Sequence, residues 1–181
     1  MIRVTVLGAA GRMGRMLVQY VTAAADMQLA GATEVPGSPS LGQDAGTVAG
    51  LAPLGVPIVD DLAKALDTDV VVDFTVPAAT LAAAPKAVAA GAAVVIGTTG
   101  MSDANKAAIR LLAGQGARIV LAPNMSVGVN HLFSISAKVA PLLGADYDID
   151  VVEMHHNRKQ DAPSGTAVRL VEILAESTGR S

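Results

Sequence analysis

Short apolar runs alternate with stretches of helical period along the first two thirds of the chain. Residues 2–7 (IRVTVL) are brief, apolar and β-branched, which predicts a strand buried on both faces. A helical pattern follows from about 12 to 25, and a second strand is expected at 27–33 (MQLAGAT). The alternation resumes with a short helix from Asp61 to Leu66 and a strand at 69–73 (DVVVD). Pro77 opens a helix to about 90, 92–96 (AAVVI) is a strand, Ser102 caps a helix to about 113, and 117–121 (ARIVL) is another strand. Strands alternating with helices predict right-handed crossovers and one doubly wound parallel sheet, an α/β fold.

The character changes near residue 126. Residues 127–141 predict a helix ending near Pro141, and Asp146 to Glu153 alternates polar and apolar like a half-buried strand. Asp161 can cap a closing helix, with Pro163 at its first position and its end near 177. The expected division is 1–126 for the sheet domain and 127–181 for part of an α+β domain. A lone strand cannot bury its face without partners, so this second domain looks truncated or is completed by another subunit. Residues 36–57 are rich in Gly, Pro and Ser, lack periodicity, and read as a flap or an Ω-like excursion of unreadable function.

The first candidate chemistry lies between the first strand and its helix. Gly8-Ala9-Ala10-Gly11-Arg12-Met13-Gly14 spaces its glycines G-x-x-G-x-x-G, with Ala10 where a dinucleotide fingerprint usually has its middle glycine. Strand, glycine turn and helix form the context in which such a turn cradles a pyrophosphate, so the sheet is expected to be of Rossmann type. Glu34 ends the next strand, twenty residues after Gly14, where an acidic side chain accepts from the adenosine ribose. Val35 follows instead of an arginine, which favours NAD over NADP, although Arg12 or Arg15 could contribute. Ligands of such sheets bind at the carboxyl ends of the strands, where Phe74-Thr75, Gly97-Thr98-Thr99 and Pro123-Asn124-Met125 are predicted to form one rim.

The second candidate is the stretch 153–167, EMHHNRKQDAPSGTA. It gathers His155, His156, Arg158 and Lys159 beside a helix start at which Ser164-Gly165-Thr166 would present free N–H groups. Unpaired donors and the positive dipole end attract anions, while the imidazoles and the lysine can move protons.

Composition narrows the partners. The 181 residues are 51% hydrophobic and 16% charged, as expected of a packed globular protein, and only 2% are aromatic. Few aromatic faces and a net charge of −3 argue against nucleic acid. No cysteine is present, which excludes disulfides and thiolate catalysis and removes an aspartate-semialdehyde-type dehydrogenase from consideration. No apolar run has transmembrane length, and the first residues enter the motif directly, so a soluble cytoplasmic protein is expected. Adjacent histidines point apart and His131 is the only other one, so no metal site is expected.

With these blocks in hand, the chain resembles the 4-hydroxy-tetrahydrodipicolinate (dihydrodipicolinate) reductase family. GAAGRMG, DFT, GTTG, APNMSVGVN and EMHHNRKQDAPSGTA match its blocks in order and spacing over nearly the whole chain, the last being the most specific. The resemblance implies reduction of a cyclic imine dicarboxylate with NADH or NADPH in diaminopimelate and lysine biosynthesis, by a cytoplasmic homotetramer when the full-length chain is present. It implies that Gly8 to Met13 (Gly8, Ala9, Ala10, Gly11, Arg12, Met13) bind pyrophosphate and Glu34 the ribose. Gly97, Thr98, Thr99, Ala122, Pro123, Asn124 and Met125 would face the nicotinamide half. His155 and Lys159 match the proton-transfer residues, while His156, Gly165 and Thr166, together with Ser164 at the helix start, would hold substrate. Three departures stand out: Val35 where NADPH users often carry arginine, Met125 where the family usually has phenylalanine, and a shorter chain than the family's. The competing reading is a non-catalytic NAD(H)-binding truncated paralogue.

Overall fold

The computed structural model describes residues 1–155, 157 and 162–180. They form two compact units, residues 1–122 and residues from Pro123 onward.

The first unit carries β1 (Ile2–Leu7), α1 (Arg12–Ala23), β2 (Met27–Thr33), α2 (Ala45–Val48), β3 (Ile58–Val59), β4 (Val70–Asp73), α3 (Pro77–Ala89), β5 (Ala93–Ile96), α4 (Asp103–Gly114) and β6 (Ile119–Leu121). The strands make one sheet in the order β3-β2-β1-β4-β5-β6, and every pairing between them is parallel. This is the doubly wound Rossmann-type arrangement, with β1 and β4 side by side where the winding reverses. Alternation along β1 explains its burial on both faces. Val4 and Val6 join a cluster with Val18, Val21 and Ile58, while Leu7 packs with Val71, Val94, Ile96 and Ile109. Thr5 shares the Leu7 side of the pleat, and its hydroxyl donates to the Ala65 carbonyl at 2.7 Å. Removing a side chain such as Val6 or Val18 from water contributes about 1.5–3 kcal/mol.

Local signals set the helix starts. Pro77 occupies the first turn of α3, and Ser102 caps α4 in a reciprocal box with Asn105. Asp61 caps a short 3₁₀ helix over Leu62–Ala65 by accepting from the Ala63 amide.

The structure departs from expectation in four places and decides between the two readings of 36–57. That stretch is folded and fastened, as an Ω-like excursion is, and is not a flap. Gly42 donates to Ile58 and Ile58 to Gln43, each at 2.9 Å, and α2 lies within the stretch. Its hub is Asp44, whose carboxylate accepts from the amides of Thr47 (3.0 Å), Leu54 (3.1 Å), Gly55 (2.7 Å) and Val56 (3.2 Å). A sixth strand, β3, follows directly; its two residues are too few to show a period, and pairing with Ala32 and Thr33 creates it. In the second unit, α5 (Val127–Leu143) continues past Pro141, because an internal proline removes one hydrogen bond without ending a helix already anchored on both sides. Asp146 to Glu153 is not a strand, since among the described residues no neighbouring strand offers it a ladder. Finally, α6 (Gly165–Thr178) begins two residues later than expected, because Ser164 is the cap: its Oγ accepts from the Ala167 amide at 3.0 Å. Pro163 therefore precedes the helix, and the proposed cap Asp161 lies outside the described residues. The helices α5 and α6 pack against one another, and α6 has no fully buried residue.

The amides around Asp44, Thr47 and Leu54 foremost, hold its carboxyl below the ordinary value of 3.8. A pKa depressed by folding stabilises the fold above the unfolded value, and that stability is lost as pH falls through the folded value. Asp44→Ala is therefore expected to lower the melting temperature at neutral pH. The gap from the parent protein should narrow as pH drops below 3.8, which melting curves across acid pH will check.

Candidate active site

The glycine turn is held by contacts that a side chain would destroy. Gly8 sits at φ +62°, in the left-handed region that favours glycine. A Cβ on Gly14 would lie 2.0 Å from the Gly8 carbonyl oxygen, so only glycine lets the first turn of α1 press onto the end of β1. Gly11 caps α1 without a side chain, and no described residue accepts from the amides of Arg12 and Met13. Those donors and the positive end of the helix dipole suit an anion. Ala9 donates to Thr33 at 3.0 Å and Ala10 to Glu34 Oε1 at 3.0 Å, so the end of β2 fixes the turn. Glu34 Oε2 accepts in addition from the Val35 amide at 3.1 Å, and the residue lines the cavity beside the turn.

That cavity measures about 480 Å³ and brings together Gly8, Gly11, Glu34, Val35, Phe74 and Thr75. Its remaining walls are largely apolar, with Leu62, Val76, Ala79 and Ala83 among them. An apolar slot of this size, opening onto a glycine turn with free amides, fits the adenosine and pyrophosphate of a dinucleotide. Arg15 is anchored to the turn, its Nε donating to the Ala10 carbonyl at 2.7 Å, which leaves its two Nη groups for other acceptors. The predicted rim residues Gly97, Thr98 and Thr99 do not line the cavity. Gly97 lies flat against the Phe74 ring, where a Cβ would fall 2.1 Å from a ring carbon. Thr98 is buried and Thr99 exposed, while Ala122 continues the pairing by donating to Ile96 at 3.1 Å.

In the second unit, Glu153 organises the site. Its Oε1 accepts from the Ser164 amide at 2.8 Å, and its Oε2 lies 3.4 Å from His155 Nδ1. One carboxylate therefore lies beside an imidazole and fastens the residue that caps α6. No described residue accepts from the Gly165 and Thr166 amides, as an anion site at a helix start requires. Thr166 Oγ accepts from Asn124 Nδ2 at 3.1 Å, and Asn124 Oδ1 accepts from the Ser126 amide at 2.8 Å. Asn124 thus joins the residues expected to hold substrate, although it was expected on the cofactor side; Pro123 and Met125 flank it, both exposed. His156 and Lys159 lie outside the described residues.

Sequence reasoning passed over Glu153, although a signal was present. In an extended chain residues two apart share a face, so Glu153 and His155 were placed to meet. Asp73, the buried end of β4, was also passed over; its partner Thr75 lies two residues on, while Thr98 is remote in sequence and gave no such signal.

Fold and turn together define a nicotinamide-dependent oxidoreductase of Rossmann type, and the comparisons specify which. A family model described as Dihydrodipicolinate reductase, N-terminus, matches residues 2–125, and one described as Dihydrodipicolinate reductase, C-terminus, matches residues 128–181. The chain belongs to the dihydrodipicolinate reductase family. It is 52% identical to the 4-hydroxy-tetrahydrodipicolinate reductase of Anaeromyxobacter dehalogenans (strain 2CP-C), covering 100% of this chain and 67% of that one. The reductase of that name from Methanothermobacter thermautotrophicus is 45% identical, with 99% and 68% covered. Among solved structures, dipicolinate-bound dihydrodipicolinate reductase from Paenisporosarcina sp. TG-14 superposes with a TM-score of 0.73 at 29% identity, covering 98% of this chain and 67% of that one. WlbA dehydrogenase from Bordetella pertussis, solved with NADH and UDP-GlcNAcA, shares the fold alone (TM-score 0.57, 18% identity, 77% and 42% covered). The chain spans about two thirds of the length of the curated relatives it matches. Its function is the reductase role of diaminopimelate and lysine biosynthesis, and this is favoured over a non-catalytic paralogue.

The contact between Gly14 and Gly8 yields a test. Gly14→Ala is expected to destabilise the protein by about 2 kcal/mol or more through overpacking. It should also abolish dinucleotide binding, as denaturant melts and NADH titration will show.

Proposed function

We propose that the chain reduces 4-hydroxy-tetrahydrodipicolinate, a cyclic imine dicarboxylate, to tetrahydrodipicolinate, and that it favours NADH over NADPH. The observation that carries this reading is the Glu153 carboxylate shared between His155 and the cap of α6. It sets a proton-transfer imidazole beside an anion-binding helix start, which is what reducing a dicarboxylate needs. A ligand of that charge also occupies the Paenisporosarcina relative, as dipicolinate.

In this reading a nicotinamide supplies the hydride. The substrate takes up one hydride and one proton and loses its 4-hydroxyl as water. The chain's own residues do the rest. The amides of Gly165 and Thr166 and the Thr166 hydroxyl receive one carboxylate, with His156 assisting. His155, with Nδ1 beside the Glu153 carboxylate, takes part in proton transfer, and Lys159 delivers the proton that the electron-rich product requires. Gly8, Ala9, Ala10, Gly11, Arg12 and Met13 seat the pyrophosphate, and Glu34 accepts from the ribose. Gly97, Thr98, Thr99, Ala122, Pro123, Asn124 and Met125 form the nicotinamide side. The cavity walls support the cofactor preference: Glu34, Asp60 and Asp61 present three carboxylates against the single ammonium of Lys86, and Val35 adds no cation. A further phosphate dianion is disfavoured there by charge. Cytoplasmic location and homotetrameric assembly complete the reading, on the strength of the family resemblance.

Three measurements test it. Folded protein given freshly generated cyclic imine should oxidise NADH; binding of NADH without turnover would remove the enzymatic reading. Lys159→Ala should lower turnover by about 10²–10⁴ while leaving NADH affinity nearly unchanged, and a parallel fall in both would make Lys159 structural. In direct titration NADH should bind at least as tightly as NADPH, and Val35→Arg should raise NADPH affinity about tenfold by supplying a charged donor.

A further inference from the structure

A polar knot is buried between the ends of β4 and β5, and of its members only Thr98 has a ligand role in the proposed reaction. Its centre is Asp73, which is 1% exposed, and among the described residues it is the one buried side chain that carries a charge. Burying a carboxylate is costly unless its acceptor positions are filled. Here Oδ1 accepts from the Thr75 amide at 2.9 Å, the Thr75 hydroxyl at 2.5 Å and the Thr98 hydroxyl at 3.3 Å. Thr98 Oγ accepts in turn from the Thr75 amide at 3.2 Å and from the fully buried Thr80 hydroxyl at 2.9 Å. A carboxylate only accepts, so Thr98 gives it its single hydroxyl proton and keeps its lone pairs for the Thr75 amide and for Thr80, whose hydroxyl also lies 3.3 Å from the Val76 carbonyl.

The knot ends on two features of the dinucleotide seat. Thr75 lines the cavity, and its methyl group stands so close to Gly8 that a Cβ there would meet it at 2.9 Å. Thr98 follows Gly97, whose amide donates to the Asp73 carbonyl at 2.8 Å and whose Cα lies against Phe74. The Gly97–Thr99 turn is thus fixed from below by one side chain that itself reaches no ligand.

We propose that Asp73 is a positioning residue: its carboxylate locks Thr75 and Thr98 so that the Gly97–Thr99 turn is held rigid at the nicotinamide end of the seat. The inference rests on the dinucleotide reading of the first unit. Glu34 and the glycine turn, which would hold the adenosine end, are fastened by their own bonds to β2, and of the knot only the Thr75 methyl lies close to them.

The experiment compares NADH with ADP-ribose, which lacks the nicotinamide, in the full chain, with a melting curve for each variant. Asp73→Asn is expected to weaken NADH about tenfold and ADP-ribose by less than about threefold. Thr98→Val, which keeps the shape and loses the hydroxyl, should show the same selectivity, while Thr98→Ser should return NADH affinity to within about twofold of the parent. Equal loss for both ligands, or no loss for either, would overturn the proposal. If Asp73→Asn does not fold, Thr80→Val decides the matter, because it removes a knot hydroxyl at a buried residue with no ligand role and should show the same selectivity. Failure of the parent protein to bind either ligand is a different result, because it removes the dinucleotide reading itself.

Discussion

The approach of Gly14 to the Gly8 carbonyl governs the first unit, because everything at the cavity is referred to it. With no Cβ between them, α1 starts directly against the end of β1, and its unpaired amides face the point where the sheet reverses its winding. The neighbouring strand then completes the turn, since Thr33 and Glu34 take the amides of Ala9 and Ala10. What remains for a ligand is a set of backbone donors and a dipole, with the guanidinium of Arg15 anchored beside them on the Ala10 carbonyl.

The two candidate sites reach rigidity by a common device, a carboxylate bonded from more than one side. Asp44 gathers four amides into the 44–56 segment, Asp73 joins two strand ends, and Glu153 spans an imidazole and a helix cap. Each works because a carboxylate offers several acceptor positions in a small volume. The last two sit directly beneath residues assigned to ligands. Ligand-contacting groups are thereby held by neighbours that do not themselves touch the ligand.

Much of this was legible in the residues. Apolar runs 5–7 residues long with glycine and proline punctuation pointed to the sheet, and the last block, with its histidines and helix start, pointed to the family. The failures have physical causes. β3 has two residues, and its existence depends wholly on pairing with β2. The alternation from Asp146 to Glu153 is a pattern of polarity alone, and polarity makes a strand only when a neighbour supplies the ladder. Asp161, Pro163 and Ser164 all belong among residues that favour helix starts, and only the hydrogen bond to Ala167 selects Ser164.

The sequence by itself determined the elements and the class of chemistry, because both are local. Period, capping residues, glycine spacing and the clustered histidines and lysine act within a few residues of one another. Tertiary structure alone decided which distant groups share a proton or a carboxylate. Asp73 meets Thr98 across 25 positions, Asn124 meets Thr166 across 42, and Glu34 meets Ala10 across 24. Such bonds leave no periodic trace, since they arise only when parallel strands and packed helices bring remote segments within 3 Å or so.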